Sequence, residues 1–123
     1  MIAKQVPGDE GKRQAFVDSL ESGEPALQPL CPGIQLCTLT LGARQGLSLQ
    51  IAREALQAGQ LQRVLERRFE QAIAFAGCFP YLDSLGALVI WHALPASRSA
   101  REQAISRLLS LANLEALDKQ RTR

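Results

Sequence analysis

Residues 60–76 read QLQRVLERRFEQAIAFA, and the reading of this stretch decides the fold. Leu61, Val64, Leu65, Phe69, Ala72, Ile73 and Ala76 recur every three or four residues, which places them on one face of a helix. Arg63, Glu66, Arg67 and Glu70 take the other face, with the glutamates at helical spacing to pair with the arginines. Gly77 offers a left-handed stop, and Pro80 keeps the helix from running on. Such a stripe needs cover, so the strand-like stretches on either side are expected to form a sheet beneath this helix.

Just upstream, 34–41 and 47–52 read as the two arms of a hairpin joined by a loop over 42–46. Cys37, Leu39 and Leu41 alternate in one arm and Leu47, Leu49 and Ile51 in the other, which predicts one shared apolar face. Thr38, Thr40, Ser48 and Gln50 take the polar face. Ile34 and Leu36 are out of phase, and call for a bulge near Cys37 or burial of that end on both sides. Residues 53–59 then lead into the central helix.

Downstream, 81–86 reads as a strand start and turn, and 87–94 as a second apolar strand. Leu88, Val89, Ile90 and Trp91 leave it no polar face, which predicts burial on both sides, with a partner subunit as a simple cover. His92 shares a side with Leu88, Ile90 and Leu94, while Trp91 faces the other way. Pro95 ends the strand, and Ser99 with Glu102 matches a capping box, so a helix is expected from about Ala100. Its stripe of Ile105, Leu108, Leu109 and Ala112 is widened by Leu111, Leu114 and Leu117, as the core of a monomer or the seam of a dimer.

Toward the N-terminus, a short helix opens at Asp9 or Glu10 and runs to about Ser22, with Phe16, Val17 and Leu20 on its apolar edge. Pro25, Pro29 and Pro32 then force an extended path that Leu27 and Leu30 hold to the core, one reading being an irregular edge strand. Residues 1–8 form a lead-in and 118–123 a basic tail. The sum is a single α+β domain over 1–123, a curved antiparallel sheet with helices mainly on one face, in the order helix-strand-strand-helix-strand-helix.

Composition narrows the function. With 46% hydrophobic and 21% charged residues, 123 residues suit one globular core. A net charge of +2, with scattered arginines and few aromatics, lacks the basic face of a nucleic-acid binder. The uncharged run 84–97 is too short and too interrupted to span a bilayer, so no membrane insertion is expected. The N-terminal residues lack the apolar run of a signal peptide, and a cytoplasmic protein is expected. Cys31, Cys37 and Cys78 show no knuckle spacing, so free thiols are expected rather than a metal site with His92, and no cofactor is implied. No nucleophile with an orienting base can be read around Cys78 or His92, so no catalytic residue is assigned and the chain is not expected to be an enzyme.

The residues 47–53 (LSLQIAR), the amphipathic helix around 67–75, the apolar strand 88–91 (LVIW) and the Leu-rich last helix 105–117 resemble, in pattern and order, the small dimeric class I chaperones of bacterial type III secretion. The chain departs from them in being slightly basic and in having one clear strand fewer before the central helix. The resemblance implies a binding protein without turnover, a homodimer or heterodimer that holds an extended segment of a secreted effector, a secretion-system protein or its regulator. It implies a guest surface on the hairpin at Leu36, Leu39, Leu47 and Leu49, where an open sheet edge accepts an added strand. Self-association is expected through Leu88, Ile90 and Trp91, with Phe69 and Ile73 as alternatives. An all-helical adaptor, with 47–76 as one helical hairpin, stands as the competing reading, because Leu47, Ile51, Ala55 and Ala58 also sit at helical spacing, and a small thiol- or His-dependent enzyme using Cys78 or His92 stands third.

Overall fold

A computed structural model describes residues 9–118 of the chain. The expected lead-in over 1–8 and all but the first residue of the basic tail lie outside the described residues. Three α-helices and five strands are found among those described: α1 (Asp9–Ser22), β1 (Leu27–Cys31), β2 (Ile34–Leu41), β3 (Arg44–Ile51), α2 (Gln60–Glu70), β4 (Cys78–Leu82), β5 (Leu88–Ala93) and α3 (Arg98–Leu111). The strands form one antiparallel sheet in the order β1-β2-β3-β5-β4, a three-strand meander followed by a hairpin that returns with β5 beside β3. The α+β class is therefore as the sequence implies, and the all-helical reading of 47–58 is corrected to a strand followed by a short 3-10 turn at Arg53–Ala55. The proline-bearing segment is a full edge strand, β1, irregular between Pro29 and Cys31.

The hairpin corrects the expected phase. Leu36 lies opposite Leu49 and Ile34 opposite Ile51, so these four share a face, and Cys37, Leu39 and Leu41 point to the other. No bulge interrupts β2. The register is set by a two-residue turn, Gly42 and Ala43, with Gly42 at φ +60°, in place of the expected five-residue loop. A one-residue difference in phase exchanges the faces of a whole strand.

Helices cover one side of the sheet. Leu36, Leu47, Leu49, Ile51, Leu88, Ile90 and Cys78 point into a core completed by Phe16, Val17 and Leu20 of α1 and by Ala104, Ile105, Leu108, Leu109 and Leu111 of α3. The surplus width of the last apolar stripe is thus used within the monomer: Leu111 is buried, and Leu114 and Leu117 pack against the core. The cap of α3 is Ser97, whose hydroxyl accepts the Ala100 N–H at 3.1 Å, two residues ahead of the expected capping box at Ser99. On the outer surface Arg98 ties α3 to Asp18, Glu21 and Gln14 of α1.

The central helix differs most from expectation. It stops at Glu70, turns occupy 71–77, and β4 begins at Cys78. Val64 and Gln60 face inward, the latter donating to the Ala112 carbonyl at 3.3 Å, while Leu65, Phe69 and Ile73 are 46%, 85% and 94% exposed. The sheet is already covered by α1 and α3, so most of the α2 stripe has nothing to lie on. The expected pairing of Glu66 and Glu70 with Arg63 and Arg67 does not form either: among the described residues no ion pair reaches the two glutamates. Arg67 turns inward to the Ser110 carbonyl at 3.1 Å with its guanidinium over the Phe75 ring, and Arg68 donates to the Cys78 carbonyl at 2.7 Å.

Candidate functional site

The second face of the sheet has no layer over it among the described residues. Strand alternation brings to it Leu27 of β1, Gln35, Cys37, Leu39 and Leu41 of β2, Ser48 and Gln50 of β3, Val89 and Trp91 of β5, and Phe79 and Tyr81 of β4. Leu27, Leu41 and Phe79 are substantially exposed there, and Leu39 is half-buried. The apolar centre is protected by its own neighbours. Trp91 lies across Gly46, donates its indole N–H to the Leu39 carbonyl at 2.8 Å, and is flanked by Phe79 at 6.3 Å and the Arg44 guanidinium at 5.6 Å. A relay of amides runs beside it: Gln35 donates to Gln50 at 3.2 Å, and Gln50 donates to the Ser48 hydroxyl at 3.2 Å. A groove of about 630 Å³ wraps that end of the sheet, lined by Pro29, Gln35 and Gln50 on this face and by Lys12 and Ile34 on the covered side, with Asp83 and Leu85. Apolar side chains with free amide hydrogens among them suit a peptide, whose main chain needs partners as its side chains are buried.

The two sheet edges are poorly suited to accept a strand. On β4, Cys78 donates its N–H to Phe75 at 3.0 Å and its carbonyl accepts from Arg68, so its outward groups are taken; the next outward residue, Pro80, has no N–H. On β1, Thr38 donates to the Ala26 carbonyl at 3.0 Å, which turns Leu27 and Pro29 outward, and Pro29 again lacks a donor. Proline at an outward edge position is a common block to edge-to-edge pairing.

The residues expected to bind partners are divided by this geometry. Leu36, Leu47 and Leu49 lie in the core under the helices with no exposed surface, and Leu39 lies on the open face. Leu88 and Ile90 are likewise buried in the core, and Trp91 is buried on the open face by Gly46 and its neighbours. Phe69 on the far side of α2 and Ile73 in the turns after it stand out in solvent. Leu27, Leu41, Phe79 and Leu65 are exposed apolar residues that the sequence reading did not assign to a surface. The alternation that carries Leu39 already carried Leu41, but Leu27 and Phe79 sit beside prolines in segments that did not read as regular strands.

Cys78 and His92 face each other across β4 and β5, the one pairing that brings the chain's candidate reactive groups together. Burial pushes the Cys78 thiol up to about 11, against the weaker pull of Arg107 and Arg68, so it stays protonated at neutral pH and makes a poor nucleophile. The His92 Nδ1 lies 2.7 Å from the Ala93 carbonyl, and its Nε2 abuts Gly77. The three cysteines are free thiols, Cys31 exposed and the other two buried. Among the described residues no group of three His, Cys, Asp or Glu side chains is placed to hold a metal ion, and no helix is long and apolar enough to cross a membrane.

Neither a curated protein nor a solved structure matches the chain. A family does: the HrpV-like family matches over residues 3–117, nearly the whole length. It is a bacterial family of regulators or chaperone-like proteins associated with type III secretion and is not known as enzymatic. The chain belongs to the HrpV-like family.

Proposed function

We propose that this protein acts by binding without catalysis, holding an extended segment of a type III secretion protein or of its regulator against the open face of the sheet, in the cytoplasm. The observation that carries the reading is the grouping of exposed Leu27, Leu41 and Phe79 with half-buried Leu39 on a face that no helix covers among the described residues. A guest lying across this face would bury alternate apolar side chains against those residues. Its amides would meet Gln35, Gln50 and Tyr81, since proline at both edges disfavours strand addition. Of the guest residues expected from sequence, Leu39 contributes directly, while Leu36, Leu47 and Leu49 act from beneath by holding β2 and β3 in register.

The test is affinity capture of the tagged protein from its source bacterium, with mass spectrometry of whatever is recovered in stoichiometric amount. A secreted protein, a secretion-apparatus component or a transcriptional regulator of that system is expected with the wild type. Leu41→Asp and Phe79→Asp, at positions where the fold tolerates polarity, are expected to lose it while keeping the wild-type circular dichroism spectrum. Retention of the partner by both folded variants overturns the assignment of the face.

A further inference from the structure

The outer side of α2 carries a second surface with its own chemistry. Leu61, Leu65 and Phe69 form one row at i, i+4 spacing and Gln62, Glu66 and Glu70 the next, while the row Gln60, Val64 and Arg68 turns to the protein. Ile73, in the turns beyond the helix end, is also 94% exposed. No ion pair reaches this acidic row among the described residues, although exposed Arg63 stands one turn before Glu66. Among the described residues Glu66 meets only the Gln62 amide, at 3.1 Å, and the nearby Arg67 and Arg68 are committed to the Ser110 and Cys78 carbonyls. Exposed apolar side chains bordered by carboxylates in no ion pair call for a guest that is apolar on one face and basic beside it.

The form of the guest follows from the neighbouring strand. The β4 edge next to α2 is closed by Phe75 and Arg68 at Cys78 and by the missing donor of Pro80, so a segment lying here cannot extend the sheet. Its backbone must satisfy itself, as an α-helix does. A second copy of this chain is a poor occupant. A two-fold axis that sets α2 antiparallel on α2 brings like rows together, carboxylates against carboxylates.

We infer that exposed Leu65 and Phe69 of α2, with Ile73 beyond its end and Glu66 and Glu70 at their border, form a docking site for an amphipathic helix of an unlike protein partner, with lysine or arginine flanking its apolar face. This surface is separate from the open sheet face. The two assignments therefore succeed or fail independently.

Two designed helical peptides of about 18 residues test it. Both carry leucines at i, i+3, i+4 and i+7, and they differ only in flanking lysine or flanking glutamate. By fluorescence anisotropy the lysine peptide is expected to bind the wild type roughly tenfold or more tightly than the glutamate peptide. The Glu66→Lys/Glu70→Lys variant is expected to reverse that order, and Phe69→Glu to abolish binding of either. Phe69 is exposed, so its variant should keep the wild-type melting temperature, while Leu41→Asp should leave peptide binding unchanged. Equal affinity for the two peptides, no binding of the lysine peptide, or binding indifferent to Phe69→Glu overturns the inference. So does sedimentation of the wild type as a dimer that Phe69→Glu converts to monomer, which would assign the row to a second copy. None of these outcomes depends on capture of a partner at Leu41 and Phe79.

Discussion

The indole of Trp91 occupies the space that a side chain on Gly46 would need: a β-carbon there would fall within 2.6 Å of Cζ2. This is why a tryptophan on an uncovered sheet face can be 4% exposed. Gly46→Ala must push the ring outward and break its bond to the Leu39 carbonyl, at a cost of about 2 kcal/mol. The expected readout is a lower urea midpoint with a red-shifted tryptophan emission. An unchanged emission maximum would show that the ring has another place to rest.

Arg13 of α1 lies 3.3 Å from Asp118, with the two side chains 1% and 0% exposed, and also donates to Gln28 of β1 at 3.2 Å. One buried guanidinium thus joins the first helix, the edge strand and the end of the described chain. Replacing Arg13 takes from the buried Asp118 the opposite charge 3.3 Å away and from Gln28 its donor. Arg13→Met is expected to lose about 3 kcal/mol of unfolding free energy, and Arg13→Met/Asp118→Leu less than the sum of the two single changes. Chemical denaturation of the four proteins checks this.

Ser97 and Ser99 separate the observed cap from the expected one. Ser97→Ala removes the acceptor of the Ala100 N–H and is expected to cost about 1 kcal/mol. Ser99→Ala lies within the first turn, exposed, and is expected to stay within about 0.5 kcal/mol of wild type. Thermal denaturation with equal losses at the two sites would contradict the observed helix start.

Cys78 sets an alkaline limit. Its thiol is held protonated to about 11 in the folded state, against 9.0 as its ordinary value. As pH rises above 9 the unfolded chain loses this proton first, so stability falls between pH 9 and 11 and this contribution is intact below pH 9. Cys78→Ala is expected to remove that part of the slope. At pH 8 a thiol reagent should modify exposed Cys31 rapidly and Cys78 only on unfolding.

The candidate surfaces were only partly legible in the sequence. Leu39, Phe69 and Ile73 belong to apolar patterns that the periodicity already marks, and each has surface to offer a partner. Leu47 and Leu49 alternate as Leu39 does but point to the covered side with Leu36, which is out of phase with Leu39, because Leu36 pairs with Leu49 and Cys37 with Ser48. Apolar alternation gives the period of a strand. Which of its two faces is left open depends on the turn that fixes its register.

What the sequence alone determined is local. Two-residue alternation made the strands, three-to-four-residue recurrence made the helices, and prolines and glycines marked most of their ends, since each depends on residues close along the chain. That was enough for the α+β class and for the family's general pattern. What only the tertiary structure decided is which apolar surfaces are used up in folding. The stripe of α2 looks like core until α1 and α3 are seen to cover the sheet, and Leu65, Phe69 and Ile73 are then left in solvent. Burial is a competition among surfaces far apart in sequence for a limited area of sheet, and no single segment carries its outcome.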